Sequence, residues 1–483
     1  MTLSQPETPQ GPVENPPKIS HAVLLTSAQL ARGFFRLLFV LVVARELGPK
    51  QFGEYSLLIA LLEMLAVASG TGYADYLTRE AAKDARLAWG VASQLTKLRL
   101  SCVVPLSAVG LGILWTLGYS RTMLVAGAWL SLSLAPRSLT EATQGVLRGV
   151  GRYWAYLVVE LGFDLALVVG LIVLLARRGG LNLVIATEVL AAVTAAVLSE
   201  AFVLTFRTSE RVYLGRKELL KKSLIFNLYT FVGNMYDRID ILLLSKLAGD
   251  YATGVYSAAY RPLGTVQLIP YGVLYSILPA LSRGEYAARQ RLEKAMGFLL
   301  SVAFLGVLAT MVYAGPAVSL LLGPRYAESA VALKILMWAV IFRYANFALN
   351  VRLLAGRHEK VFVTTSLVCL GVNLAGNLLL IPKYSWKAAA AITILTELVL
   401  LAQNVYWLRR TVGAIPKPYG WMQISTVFIA LVCVTVAGEK LGAPLLVGNI
   451  CLLLFLAFLF RGGNAREFTA VWGDHGNVES SNP

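Results

Sequence analysis

One spacing occurs twice in this chain and limits what it can fold into. Gly48, Gly53, Tyr55 and Ser56 return as Gly249, Gly254, Tyr256 and Ser257, a constant offset of 201 residues. Each set follows one long apolar run and opens another, FVLVVARELGPKQFGEYSLLIALL in the first half and ILLLSKLAGDYATGVYSAAY in the second. A tandem duplication written in apolar segments points to a membrane protein of two related halves, with a substrate site between them.

Hydrophobic residues make up 57% of the chain and charged ones 14%, which sets it apart from soluble domains. Apolar stretches of about 20 residues, long enough as helix to cross about 30 Å of hydrocarbon, recur along the whole length. Hydropathy predicts about fourteen transmembrane helices in an all-α integral membrane fold. The first six fall near 22–44, 52–73, 90–117, 122–145, 153–176 and 181–206. The next six fall near 224–247, 253–281, 295–322, 327–354, 361–381 and 386–408, with two more near 421–437 and 443–460. The expected organisation is an N-lobe over 22–206, a cytoplasmic linker over 207–222, a C-lobe over 223–410 and a helix pair over 418–461. The polar tails 1–21 and 462–483 are expected to be disordered.

Several functions are disfavoured at once. The chain has no GxxxxGK[ST] phosphate loop, so it holds no ATPase of that type. Cys102, Cys369, Cys433 and Cys451 lie in apolar runs with no metal or redox spacing, and the three histidines are scattered. No cofactor, no metal and no enzymatic activity are expected. The amino-terminal tail lacks a basic segment followed by an apolar core, so no cleaved signal peptide is read there.

The basic residues set the orientation. With a cytoplasmic amino terminus, 26 Lys and Arg fall in cytoplasmic segments and 11 in external ones, with six arginines at membrane depth. This bias places both termini in the cytoplasm. It also accounts for much of the +16 net charge, so no nucleic-acid partner is inferred. The first and seventh helices open matching units with six helices between their starts, an even number. The halves are therefore parallel, related by an axis along the membrane normal. Gly151-Arg152 against Gly356-Arg357, and Thr187-Glu188 against Thr396-Glu397, extend the repeat at offsets of 205 and 209.

The arginines at membrane depth are Arg32, Arg36, Arg137, Arg238, Arg261 and Arg343. Glu63, Glu141, Glu160, Asp164, Glu188, Asp237, Asp240 and Glu397 lie there too. At about 2.5–3.5 kcal/mol each, exposing all of these to lipid would cost on the order of 40 kcal/mol. They must face one another or a watery cavity. Arg32 and Arg36 share a helix face with Gln29, Glu160 with Asp164, and Asp237 with Asp240. Arg343, Asn346 and Asn350 form a polar stripe. At the 201 offset Arg36 corresponds to Asp237, so a basic stripe in one half answers an acidic one in the other.

Two readings apply to these groups: pairing that holds helices together, or contact with a cargo. Guanidinium suits a phosphate because its fork donates two parallel hydrogen bonds. Arg32, Arg36, Arg238, Arg261, Arg343 and Asn346 are the candidates for holding an anionic substrate. Asp237, Asp240, Glu160, Asp164 and Glu397 are the candidates for coupling or gating, and residue types do not decide whether H+ or Na+ is involved. Tyr55 and Tyr256 are expected to anchor at the membrane interface. Pro105, Pro262, Pro270 and Pro279 are expected to kink their helices.

Three segments resemble one family. Ala44-Arg45-Glu46-Leu47-Gly48-Pro49-Lys50-Gln51-Phe52-Gly53-Glu54-Tyr55-Ser56 resembles the ARxLGPxxFGxYS opening of bacterial oligosaccharide flippases of the polysaccharide-export (Wzx-type) family. Arg238-Ile239-Asp240-Ile241-Leu242-Leu243-Leu244 with Gly254-Val255-Tyr256-Ser257-Ala258-Ala259-Tyr260-Arg261 is similar to its centre. Asn377-Leu378-Leu379-Leu380-Ile381-Pro382-Lys383-Tyr384 followed by Ala388-Ala389-Ala390 is similar to its NxxLIPxxGxxGAA segment, with Ser385 and Lys387 where glycines are expected. The resemblance covers roughly residues 20–410. It implies the fold of the multidrug/oligosaccharidyl-lipid/polysaccharide exporter (MOP) superfamily, two six-helix lobes around a central cavity. It implies a lipid-linked oligosaccharide, borne on undecaprenyl diphosphate and flipped across the bacterial inner membrane for O-antigen, capsule or exopolysaccharide. A polysaccharide polymerase is the implied working partner. By analogy with peptidoglycan-precursor flippases, the last two helices would line a groove for the lipid tail.

The cargo suits such a site, because sugar hydroxyls and a diphosphate without partners cost several kcal/mol per group in hydrocarbon. A drug or cation antiporter of the same fold is the alternative, and the Arg32/Arg36 stripe argues against a cationic cargo. A membrane glycosyltransferase would need a larger external loop than any here.

Overall fold

The protein is described by a computed structural model covering residues 19–69, 73–177, 179–206, 216–283, 286–356, 358, 360–413 and 415–461. Residues 1–18 of the tail expected over 1–21, the tail 462–483 and residues 207–215 of the expected linker lie outside these residues, as do the side chains of Gln29 and of 216–230. The described residues are helical apart from short connections, without a strand among them.

The helices are α1 (Ile19–Ser69), α2 (Tyr73–Lys83), α3 (Ala85–Thr116), α4 (Arg121–Ser131), α5 (Leu134–Gly149), α6 (Tyr153–Arg177) and α7 (Leu181–Phe206) in the first half. The second half holds α8 (Arg216–Val266), α9 (Leu268–Ser282), α10 (Tyr286–Leu321), α11 (Ala327–Ala355), α12 (Lys360–Tyr384) and α13 (Trp386–Thr411). Then come α14 (Trp421–Lys440) and α15 (Pro444–Arg461). Nine stretches among the described residues are long and apolar enough to cross a membrane. Counting both arms of α1 and of α8, taking α4 with α5 and α9 with the second arm of α8, and adding the shorter apolar α15 gives the expected fourteen segments among the described residues.

Both 51-residue helices contain the repeated glycine at a break in their helical backbone. Gly48 has φ 71° and ψ 170°, and Gly249 has φ 86° and ψ 171°. Only glycine adopts this conformation cheaply. Arg36 and Glu63, on opposite sides of Gly48, line the same cavity, as they must if the chain doubles back there. The repeat therefore encodes a tight helical hairpin in each half.

Two predicted spans are divided, both by proline. Pro136 leaves the Leu132 carbonyl without its helical donor, and the fourth span divides into α4 and α5 at that point. Pro270 does the same to Val266 between α8 and α9, and the Tyr344 hydroxyl donates to that carbonyl at 2.7 Å. Residues 73–83, expected to lie at the end of a span and in a loop, form a separate helix, α2. Its inner face seats on small residues of α5: a Cβ at Gly145 would meet the Ala74 carbonyl at 2.7 Å, and one at Gly149 the Thr78 carbonyl at 2.5 Å. Arg99, assigned to a cytoplasmic segment by sequence, is 1% exposed and paired with Glu141 at 2.5 Å.

The two lobes meet through α1 and α8 in a near two-fold arrangement. A Cβ on Gly53 would sit 1.8 Å from the Asp250 carbonyl oxygen, and one on Gly254 1.8 Å from that of Pro49. Arg45 donates to the Leu320 carbonyl at 2.9 Å, and Lys246, its counterpart at the 201 offset, donates to that of Leu117 at 2.5 Å. Tyr326 donates to the Ala44 carbonyl at 2.7 Å, while Tyr119 donates to the Ser245 hydroxyl at 2.8 Å. Each of these contacts of one lobe with the other has a partner of the reverse sense. The hairpin end of the molecule is thus closed by a clasp.

The last two helices dock on the outside of the C-lobe. Phe428 stacks on Phe304 with ring centroids 4.0 Å apart, Lys334 pairs with Glu439 at 2.7 Å, and the Tyr419 amide donates to the Glu293 carbonyl at 2.9 Å.

Candidate functional site

Charge inside the membrane arranges itself into two clusters, one per lobe. In the N-lobe, α1 presents Arg32 and Arg36 one turn apart, and α6 presents Glu160 and Asp164 one turn apart. Arg32 Nε donates to Asp164 Oδ2 at 2.8 Å, and its Nη2 pairs with Glu160. Arg36 Nε donates to Asp164 Oδ1 at 3.1 Å, and its Nη2 lies 3.8 Å from Glu160. The two stripes are neighbours in one lobe, and the basic one is largely countered by the acidic one. Arg32 is 11% exposed and spent on this pairing, whereas Arg36 is 49% exposed and stands over the Phe163 ring.

Arg36 faces a cavity of about 240 Å³ bounded by α1, α5, α6, α7 and, from the other lobe, α8. Arg137 and Arg261 enter it too, together with Glu63, Glu141, Glu160 and Glu188. Each of these carboxylates has a basic partner. Glu63 takes Arg238 across the lobe seam at 2.7 Å, Glu141 takes Arg99, Glu160 takes Arg32, and Glu188 takes Arg137 at 3.3 Å. Arg261 has no ion pair among the described residues. Six arginines therefore face five carboxylates, counting Asp164, and the surplus cation points into the cavity from the seam.

The C-lobe cluster is closed on itself. Arg343 Nε donates to Glu397 Oε1 at 2.5 Å, and its Nη2 lies 3.8 Å from Asp237. The Tyr260 hydroxyl sits 3.4 Å from both Nη atoms. Asn346 donates at 2.9 Å to both the Oε2 and the backbone oxygen of Glu397, and accepts from Asn404 at 3.2 Å. Asp240 accepts from the Tyr256 hydroxyl and, at 2.8 Å, from the Ile241 amide. A buried ion pair with its remaining valences filled in this way is a rigid structural unit.

Of the residues singled out from sequence, Arg36, Arg261 and Glu160 line the cavity. Arg238 sits at the seam. Arg343, Asn346, Asp237, Asp240 and Glu397 form the second cluster, and Arg32 with Asp164 lies behind the cavity wall. Arg137 and Glu188 are charges at membrane depth that the sequence alone assigns to no site. Tyr55 and Tyr256, expected as interfacial anchors, are instead 2% and 0% exposed. Tyr55 donates to Glu188 Oε1 at 2.7 Å and Tyr256 to Asp240. Their signal was the repeat itself, since a tyrosine kept in both halves at one offset serves one internal purpose twice. Among the described residues no cluster of His, Cys, Asp and Glu could hold a metal ion.

Comparison with known proteins bears on the family and the fold. The profile of the family described as polysaccharide biosynthesis protein matches residues 20–285, more than half of the chain. Capsular polysaccharide biosynthesis protein CapF of Staphylococcus aureus is 26% identical over 185 residues, 37% of this chain and 46% of that protein, so the match spans about half the relative's length. Among solved structures, lipid II flippase MurJ in an inward closed conformation superposes with a TM-score of 0.70 at 14% identity, covering 91% of this chain and 99% of that one. An inward-facing multidrug resistance MATE family transporter of the MOP superfamily gives 0.63 at 15% identity, covering 80% and 98%. At these identities the two structures speak for the fold: a multi-pass membrane protein of two helical lobes.

Proposed function

Because the chain belongs to the polysaccharide biosynthesis protein family, we propose that it flips a lipid-linked oligosaccharide, carried on undecaprenyl diphosphate, from the inner to the outer leaflet of the bacterial cytoplasmic membrane. The observation that carries this reading is Arg261. It enters the N-lobe cavity from the other lobe, beside the half-exposed Arg36, and no carboxylate among the described residues neutralises it. A surplus guanidinium in a low-dielectric cavity asks for an anion, and a diphosphate supplies one with matching geometry. Polar walls spare the headgroup the cost of losing its hydration while the lipid tail stays in the bilayer.

With the amino terminus in the cytoplasm, the orientation that the bias of basic residues favours, the clasped hairpin end lies outside and the cavity is reached from within. Alternating access then consists of opening the clasp and closing the inner end, a rocking of two lobes related by their repeat. Proton or Na+ coupling is left to the carboxylate clusters, and a polymerase would receive the product. A cationic-drug antiporter would need unspent carboxylates in the cavity, whereas those present already hold arginines.

The test is the leaflet distribution of polyprenyl-diphosphate oligosaccharide in cells lacking the protein. Inner-leaflet accumulation is expected, reversed by wild type and not by Arg36→Ala with Arg261→Ala. An unchanged distribution in cells without a second flippase would remove the reading.

A further inference from the structure

Each charge cluster contains one copy of a repeated ion pair, and the differences around the two copies carry information. Arg137 on the fourth span pairs with Glu188 on the sixth, and Arg343 on the tenth pairs with Glu397 on the twelfth. The separations, 206 and 209 residues, continue the drift of the repeat. In the C-lobe, Arg343 is also met by Asp237 and Tyr260, and Glu397 by Asn346. The equivalent N-lobe positions hold Arg36, Ile59 and Thr140, and all three line the cavity. Where the C-lobe supplies a second carboxylate, the N-lobe supplies a second guanidinium. Where it supplies hydrogen-bonding side chains, the N-lobe supplies shorter or apolar ones and an open space.

The incomplete satisfaction of Arg137 agrees. Its single ion pair is 3.3 Å long against 2.5 Å for Arg343, and its side chain is 26% exposed against 12%. Its Nε is buried without a hydrogen-bond partner. Glu188 has an alternative ligand in hand, the Tyr55 hydroxyl at 2.7 Å.

We propose that the N-lobe cluster is a phosphoryl-binding subsite, in which an anion of the lipid headgroup occupies, between Arg36 and Arg137, the place that the Asp237 carboxylate takes in the C-lobe. Glu188 is the exchangeable counter-ion: it holds Arg137 in the empty site and is left to Tyr55 when the phosphoryl oxygen arrives. This deepens the flippase reading and rests on it.

Binding of farnesyl diphosphate and of inorganic pyrophosphate to the purified full-length protein in detergent tests the assignment. Farnesyl diphosphate should bind, more tightly than pyrophosphate. Arg137→Gln should weaken it by about tenfold or more, and Arg137→Lys should recover part of the loss. Glu188→Gln should tighten binding severalfold, because it removes the competing charge and keeps an acceptor for Tyr55. A wall residue with a purely structural role would not produce this gain. Should Arg137→Gln not fold, the sign of the Glu188→Gln effect decides alone. Undiminished binding by a folded Arg137→Gln, or weaker binding by Glu188→Gln, overturns the subsite and leaves the flippase reading standing. Equal affinity for the two probes overturns the assignment to a lipid headgroup, and no binding of either by wild type overturns both.

Discussion

Ser385 adopts φ 52° and ψ −138° between α12 and α13, the one non-glycine residue with positive φ among those described. It stands where the family pattern expects glycine, and such a backbone costs a β-carbon about 1–3 kcal/mol. Ser385→Gly should therefore raise stability by about 1 kcal/mol, read as a higher melting temperature in detergent. Ion pairs differ by their surroundings at this scale. Glu397→Ala leaves Arg343 buried beside a single carboxylate 3.8 Å away, and should cost about 3–5 kcal/mol. The expected result is loss of monodisperse protein on gel filtration. The tyrosine pair shows why residue type alone misled: an aromatic hydroxyl suits an interface and a buried carboxylate equally, and only packing distinguishes them.

At the scale of elements, the glycine repeat has two functions that one-dimensional reading merges. Gly48 and Gly249 turn the chain, while Gly53 and Gly254 let α1 and α8 approach to backbone contact. Gly53→Ala or Gly254→Ala must push the hairpins apart, since the new methyl would meet a carbonyl oxygen that is itself part of a helix. The two variants should behave alike because each lobe offers the other the same surface. In a background without the native cysteines, Ala258→Cys, 3% exposed in the closed seam, should become reactive to a membrane-impermeant maleimide in either variant. Unchanged protection would mean that the hairpins separate elsewhere. The division at Pro270 is half legible in the sequence, whereas Pro136 is not among the prolines singled out there. Proline announces a lost hydrogen bond, but that Tyr344 would donate to the Val266 carbonyl needed the fold.

For the molecule as a whole, the clasp is the part that alternating access must undo. Arg45 and Lys246 each donate to a carbonyl of the opposite lobe, and charged hydrogen bonds of this kind contribute at most about 1.5–3 kcal/mol, less where water reaches them. Arg45→Ala with Lys246→Ala should shift the lobes toward an open hairpin end. Spin labels at Arg121→Cys and Arg325→Cys, both exposed near that end, should show a larger long-distance population. An identical distance distribution would show that the glycine contact alone sets the closed state.

The sequence by itself determined the membrane class, because runs of about 20 apolar residues have few other solutions. It also determined the duplication and the parallel relation of the halves. These properties are carried by spacing and composition, which survive without coordinates. The tertiary structure alone decided which charges meet. Arg36 and Asp237 are equivalent in sequence, yet one faces a cavity with a surplus of arginine while the other adds a second carboxylate beside the buried Arg343. Charge at depth must be compensated, and any of several neighbours satisfies that requirement. Only the packing of α5 and α7 against α1, and of α11 and α13 against α8, selects the partner and leaves one lobe open.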